Sequence, residues 1–371
     1  MREFLIAVAA MTLAFTPLAY AQTDPDVLKA YKEYSGLLKG EDKAATAKAA
    51  LKAWELAEEK MGDSKTTGNL AINYGDAASL LRKGHKKAGQ AYERAIELSH
   101  LQPDDEQAIH VVELYYKLAN FQIRRGDRTK ARKTAKIGAE YALENGLETS
   151  TFLGELYTII ASTYVSGAKN REIAEFSEKA LDVFENSDDG IVSAQPLLAR
   201  LYSGYAKEGE KEILGAALEY QDVMENVEGI LPRDHPFMMK ALGRWSSMRE
   251  RLSRDGRLDE AEEKGLCQCW PYDKPRNEAI KPVKRVPPIM PARAFQSGFS
   301  IVEFDLKDDG STDNIRVLES WPPDIFEKSS EKSIKKWQYT ARQEGETDED
   351  RKDIITTVRY VLTDRNGDII E

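Results

Sequence analysis

Between Asp24 and Gly265 apolar residues recur three and four positions apart, the mark of one buried face on successive α-helices. The stretch "HKKAGQAYERAIEL" sets Ala88, Tyr92 and Ala95 on such a face. "LYYKLANFQIRRGDRTKARKTAKIGAEYAL" aligns Tyr115, Leu118, Ala119 and Gln122, breaks at Gly126-Asp127, and resumes with Ala131, Ala135 and Gly138. "LYTIIASTYVSGAKNREIAEFSEKALDVF" follows the same plan with Tyr157, Ile160, Ala161 and Tyr164, a break at Gly167, then Ala180-Leu181. "WSSMRERLSRDGRLDEAEEKG" does so with Trp245, Met248, Leu252, Gly256 and Ala261. The pattern predicts four helix pairs between Leu70 and Glu263. Residues 26–62, with Tyr31, Tyr34 and Trp54, add an atypical N-terminal pair, and residues 196–228 a degenerate one.

The period then disappears. "CWPYDKPRNEAIKPVKRVPPIMP" is proline-rich and basic, and predicts an extended, stiff linker over 267–291. Beyond it "SIVEFDLK" and "TDNIRVLES" alternate with a period of two on either side of "DDGS", a hairpin signal. "PPDIFEKSSEKSIKKWQY" reads as a helix opened by Pro322-Pro323, with Ile325, Phe326, Ser330, Ile334 and Trp337 near one face. A polar loop leads to a last strand, "IITTVRYVL". The expected fold class is mainly α, a helical solenoid over 22–266 followed by a small α+β domain, strand-strand-helix-strand, over 292–371.

The helical region resembles the tetratricopeptide (TPR) repeat, in which small residues on the second helix let an antiparallel pair approach closely and aromatics fill the wedge between pairs. "LPRDHPFMMKALGRW" resembles the kinesin-light-chain-like variety, in which a His-Pro pair precedes the first helix. TPR arrays bind extended peptides along their inner helices. Asn73, Asn120, Arg124 and Arg125 fall on or near first helices and are the candidates on that concave face, with solvated surface as the alternative for each.

Residues 283–362 resemble the C-terminal domain of TonB, the periplasmic energy transducer of Gram-negative bacteria. The elements that carry the resemblance are Pro287-Pro288-Ile289-Met290-Pro291, Gly298, the strand Ile301 to Leu306, the turn Asp309-Gly310, Arg316-Val317, the helix end Lys335-Lys336-Trp337-Gln338-Tyr339, and Ile354 to Leu362. The chain departs from the family pattern at two places. Met290-Pro291 stands for the usual Tyr-Pro, and Thr340-Ala341 for the usual Pro-Ala. The resemblance implies that a short peptide of an outer-membrane transporter adds as a strand to the exposed sheet edge by main-chain hydrogen bonds. On that reading Ile354, Thr356, Val358, Tyr360 and Leu362 form the partner-binding edge, and Met290 and Pro291, where the chain enters the domain, are further contacts. The same edge could instead be covered by the tail "TDRNGDIIE" or by a second copy of the domain, giving a homodimer.

Charge and composition narrow the partners. A net charge of −10 argues against nucleic acid, because neutralising phosphates needs a basic surface. The opening "MREFLIAVAAMTLAFTPLAYAQ" has an Arg, an apolar run from Phe4 to Leu18, and small residues Ala19 and Ala21 at the positions a signal peptidase reads. The run is shorter than the roughly 20 residues a spanning helix needs. The expectation is a cleaved signal peptide over 1–21 and a periplasmic protein, with inner-membrane anchorage if the segment is retained. The segment also lacks the His by which TonB meets its proton-driven motor. The two cysteines, Cys267 and Cys269, form no disulfide framework and make a poor zinc site without further ligands. The four His residues are scattered, Ser166 to Lys169 matches S-x-x-K without its companion motifs, and no phosphate-binding, dinucleotide or zinc-protease signature occurs. No enzyme, cofactor, metal or small-molecule substrate is therefore expected. Two functional readings stand: a coupling module that binds an outer-membrane or envelope protein through the β-domain, and a structural envelope scaffold in which that domain only dimerises or docks.

Overall fold

A computed structural model of the chain describes residues 23–81, 86–101, 107–187, 194–227, 231–232, 234–267, 279–363 and 369–370. The signal-peptide expectation, with Ala19 and Ala21, falls outside them. Cys267 is disulfide-bonded, and the other cysteine, Cys269, also lies outside. Among the described residues the chain is mainly α, twelve helices in a repeat-like array followed by a small antiparallel sheet that carries a thirteenth helix. The helices are Pro25–Leu37 (α1), Lys43–Met61 (α2), Lys65–Ser79 (α3), Lys86–Leu101 (α4), Gln107–Arg124 (α5), Arg128–Glu144 (α6), Thr151–Val165 (α7), Asn170–Asn186 (α8), Gln195–Gly209 (α9), Ile213–Val227 (α10), Pro236–Arg254 (α11), Leu258–Glu263 (α12) and Glu327–Ile334 (α13). They belong to two compact units, Met1–Gly146 and Leu147–Glu371.

In the first unit the helix starts are written in local chemistry. Asp24 precedes Pro25 and accepts the Asp26 N–H, Asp42 accepts from Ala44 and Ala45, and Ser64 from Thr67, each satisfying donors that a helix leaves unpaired. Alanines 50, 53, 57, 71, 78, 88, 91 and 95 are sealed between neighbouring helices, which lets the backbones close. Trp54 stacks on Tyr74, ring centres 5.5 Å apart. A Cβ on Gly75 of α3 would stand 2.6 Å from the Tyr92 ring of α4, so the absent side chain is what admits that ring.

The second unit repeats the device. Gly154 of α7 admits Phe184 of α8, and Gly204 of α9 admits Tyr220 of α10, at 2.7 and 2.4 Å from the place a Cβ would take. The His-Pro signal is where the pattern puts it. His235 caps α11, its Nδ1 accepting the Phe237 N–H at 3.1 Å, with Pro236 at the first helical turn. Burial pushes the His235 pKa down to about 4, against a smaller opposing pull from Asp234, so the ring stays neutral and keeps the lone pair that caps.

The last pair breaks the rule. Its second helix, α12, is only six residues long, and Gly243 of α11 instead admits Phe299, a residue of the sheet, at 2.3 Å from the Cβ position. The sheet comprises Gly298–Leu306 (β2), Thr312–Trp321 (β3) and Ile354–Tyr360 (β5), all antiparallel in the order β3-β2-β5. The β2–β3 turn needs the positive φ of Gly310, +82°, and Asp309 holds it by accepting the Ser311 N–H at 2.8 Å. One face of the sheet, with Phe299 and Ile301, packs among α10 and α11 residues such as Val223, Leu242 and Trp245. The other face, with Val302, Phe304, Ile354, Val358 and Tyr360, closes on Phe326, Ile334, Trp337 and Tyr339. Central strand β2 is thus covered on both sides, which explains its near-continuous run of buried residues.

The end of the proline-rich segment is extended and laid onto the domain. Pro282–Lys284 (β1) pairs with Gln338–Tyr339 (β4), Ile280 is buried in the domain core, and the Val286 carbonyl accepts from Trp337 Nε1 at 2.9 Å. Two further short strands, Leu362–Thr363 (β6) and Ile369–Ile370 (β7), pair with each other.

Candidate functional site

The candidate edge is β5. Neighbouring residues of an antiparallel strand aim their main-chain groups to opposite sides. The Thr357 N–H points away from β2, so the outer rim belongs to Ile355, Thr357 and Arg359. Ile354, Thr356, Val358 and Tyr360 turn their side chains inward, each 6% exposed or less, and their main chain faces β2. A partner laid on the rim would therefore meet backbone from the odd-numbered residues and feel the even-numbered ones only through the strand they build. Leu362 lies past the end of β5. It pairs with Ile370 and donates its N–H to Ser297 Oγ at 3.0 Å. Met290 packs partly into the domain core, and the Pro291 carbonyl accepts the Ala294 N–H at 2.9 Å.

The rim carries a carboxylate from the helical array. Glu250, on α11, accepts the Thr357 N–H at 3.0 Å and the Thr356 hydroxyl at 2.9 Å with Oε2. Its Oε1 accepts from Arg285 Nη2 at 3.2 Å, and the same nitrogen donates to the Tyr339 hydroxyl at 3.1 Å. Arg285 lies over the Trp337 ring, 4.6 Å from its centre. One helical turn earlier, Ser246 hydrogen-bonds Thr357 Oγ1 at 2.6 Å. Ser246 and Glu250 are four apart on α11 and so share a face, but nothing in "WSSMRERLS" distinguishes that Glu from an ordinary solvated one.

A second tie fixes the far end of β5. Arg359 and Arg244 both pair with Glu208 of α9, and the Tyr220 hydroxyl donates to it at 2.9 Å. Burial alone would raise the Glu208 pKa; Arg244 and Arg359 outweigh it and hold the carboxyl down at about 2. Beside this cluster a cavity of about 270 Å³ opens, lined by Val165, Ile173, Tyr205, Gly243, Phe299 and Trp321 among others. The Arg244 guanidinium stacks 3.7 Å from the Tyr205 ring centre, and Trp321 Nε1 is a buried donor without an acceptor among the described residues.

In the first unit Asn73 and Asn120 are half-buried and Arg124 and Arg125 exposed. Asn120 is 3.4 Å from the Tyr116 hydroxyl, and Arg125 lies 5.9 Å from the Phe121 ring centre. The polar network there centres on other residues. Lys117 of α5 bridges Asp76 of α3, at 2.9 Å, and Glu113, at 3.1 Å, while Tyr92 donates to Asp76 at 2.8 Å. Burial would lift Glu113, but His110 and Lys117 bring it down to about 2. Lys117 and Asp76 lie 41 positions apart, and no local pattern announces the pair.

Comparison with known proteins bears on the sheet. Residues 288–362 match the family model for the Gram-negative bacterial TonB protein C-terminal. The chain is 33% identical over 66 residues to Protein TonB of Klebsiella pneumoniae, covering 17% of this chain and 27% of that one. It is 31% identical over 85 residues to Protein TonB of Yersinia enterocolitica, covering 22% and 31%. The chain thus spans under a third of the length of these curated relatives. Among solved structures the chain is similar to RapI in its apo form, at 11% identity and TM-score 0.47, covering 64% of this chain and 94% of that one. It is also similar to BtubC (BKLC) of P. vanneervenii, at 15% identity and TM-score 0.44, covering 63% and 87%.

Proposed function

We propose that this chain is an exported, non-enzymatic protein–protein interaction protein of the Gram-negative envelope, working in the periplasm. Its C-terminal domain captures an extended segment of an outer-membrane or envelope partner as an added strand on β5, and its helical array recruits a second protein. The observation that carries the reading is the pairing of a TonB-like domain with an outer rim on β5 to which, among the described residues, no strand is paired. A role in TonB-dependent transport follows if the partner is a transporter. One observation favours a structural reading in its place. Phe299 sits against Gly243 where earlier pairs place a ring of their own second helix, so the sheet closes the last helix pair as a capping element.

The two readings separate on the full chain, because the domain cut away from α10 and α11 would expose Phe299 and Ile301. Thr357→Pro removes a rim N–H and leaves the β2 ladder intact, the one place a strand tolerates proline. Immobilised wild-type protein is expected to retain an outer-membrane protein from solubilised envelopes, and Thr357→Pro to lose it with unchanged circular dichroism. Equal retention by both would remove the strand-addition reading and leave the capping one.

A further inference from the structure

We propose that the β5 rim is built to take an acidic residue of the incoming peptide, and that Glu250 holds that place until the peptide displaces it. The inference rests on the strand-addition reading and adds the chemistry of its ligand. Three donors converge at the rim: the Thr357 N–H, the Thr356 hydroxyl and Arg285 Nη2. All three meet one carboxylate, so the cradle is a carboxylate site by construction. Its occupant is a side chain from α11, more than a hundred positions away from the strand it caps.

The cradle is also underfilled. Among the described residues the buried Arg285 Nε has no acceptor, while Glu250 engages Nη2. Nε and Nη2 form one straight edge of the guanidinium, the edge that grips both oxygens of a carboxylate. Stacking on Trp337 holds that plane in position before any ligand arrives.

A strand laid along β5 needs the Thr357 N–H for its own carbonyl, and Glu250 must leave. Its departure would leave a half-buried guanidinium beside Tyr339 without its anion, a costly outcome unless another replaces it. Across the new ladder, the peptide residue opposite Thr356 carries its side chain on the same face as that of Thr356. That is the face on which Arg285 lies, with Trp337 and Tyr339 of the same core as Ile354 and Val358. An aspartate or glutamate there satisfies the hydroxyl and the guanidinium together; a neutral residue leaves both wanting.

The test uses the full chain and two synthetic peptides of alternating Thr and Val, lysine-capped, with either Glu or Gln at the centre. Fluorescence anisotropy should show the Glu peptide binding wild type about tenfold more tightly than the Gln peptide, the worth of a charge-assisted hydrogen bond. Glu250→Gln keeps the shape and weakens the placeholder, so the Glu peptide should gain about another tenfold. Arg285→Gln should bind both peptides alike, and thermal melts, with Glu250→Ala as a second variant, verify that each protein is folded. Equal affinity of both peptides for wild type and Glu250→Gln would overturn the placeholder while strand addition stands. Binding of neither peptide to any variant would bring down strand addition, and this inference with it.

Discussion

At the scale of single residues, the repeat is enforced by what a glycine leaves out. Gly204 has no room for a methyl group, because the Tyr220 ring, 2.4 Å from the place a Cβ would take, is itself fully buried and cannot give way. Gly204→Ala is therefore expected to destabilise the protein by about 1–3 kcal/mol, the usual cost of overpacking. Gly36, near the end of α1, has nothing among the described residues within 4 Å of its Cβ position. Gly36→Ala is expected to stabilise by about 0.5–1 kcal/mol, through helix propensity alone. Urea melts of the two variants check the pair, and equal shifts would show that the close approach at Gly204 does not exist. The period-3.6 pattern made these helices readable, and "LYSGYAK" places Gly204 on the buried face. Which ring fills the notch depends on how a second helix packs, and periodicity does not encode that.

At the scale of elements, α11 is the joint. A fully fledged second helix would have supplied a ring to Gly243; α12 is too short, and β2 supplies Phe299. Phe299→Ala should leave a cavity on the α11 side and cost about 3–5 kcal/mol. Because the ring belongs to the same core as Leu242, Trp245 and Ile301, the loss should fall on both elements. Native-state hydrogen exchange is expected to show amides of α11 and β2 losing protection together, while those of α3 and α4 are unchanged. Loss confined to β2 would mean that sheet and helix open independently. The strand-strand-helix-strand order was legible from alternation, the Asp309-Gly310 turn and the Trp337-Tyr339 pair. The docked face was not. Phe299 and Ile301 followed by Glu303 and Asp305 read like any half-solvated strand, and only the helix lying across them shows which apolar pair is covered.

At the scale of the whole molecule, half-buried carboxylates tie distant segments and make stability depend on acid. Glu208 is depressed from 4.5 to about 2 by Arg244 and Arg359, against the pull of burial. A depressed carboxyl contributes stability that is complete above its ordinary pKa and drains away as pH falls towards the folded value. Between pH 7 and pH 3 wild type should lose about 2 kcal/mol more than Glu208→Gln in urea denaturation. Identical pH profiles would show that the Glu208 link between α9, α11 and β5 contributes nothing. Glu113 is lowered to the same value, so Glu208→Gln should remove only part of the acid sensitivity.

What the amino-acid order determined by itself is whatever short-range physics can settle. Helical period, small residues on closely packed faces, capping residues such as Asp42 and His235, and turn chemistry at Gly310 need only neighbours a few positions away. Tertiary structure decided which face of the sheet is covered, and which side chains share a charge across long loops. Glu250 with Thr357, Glu208 with Arg359 and Lys117 with Asp76 are each ordinary surface-type residues in their local sequence. An ion pair acquires its strength from burial and geometry, and both exist only after remote segments have been brought together.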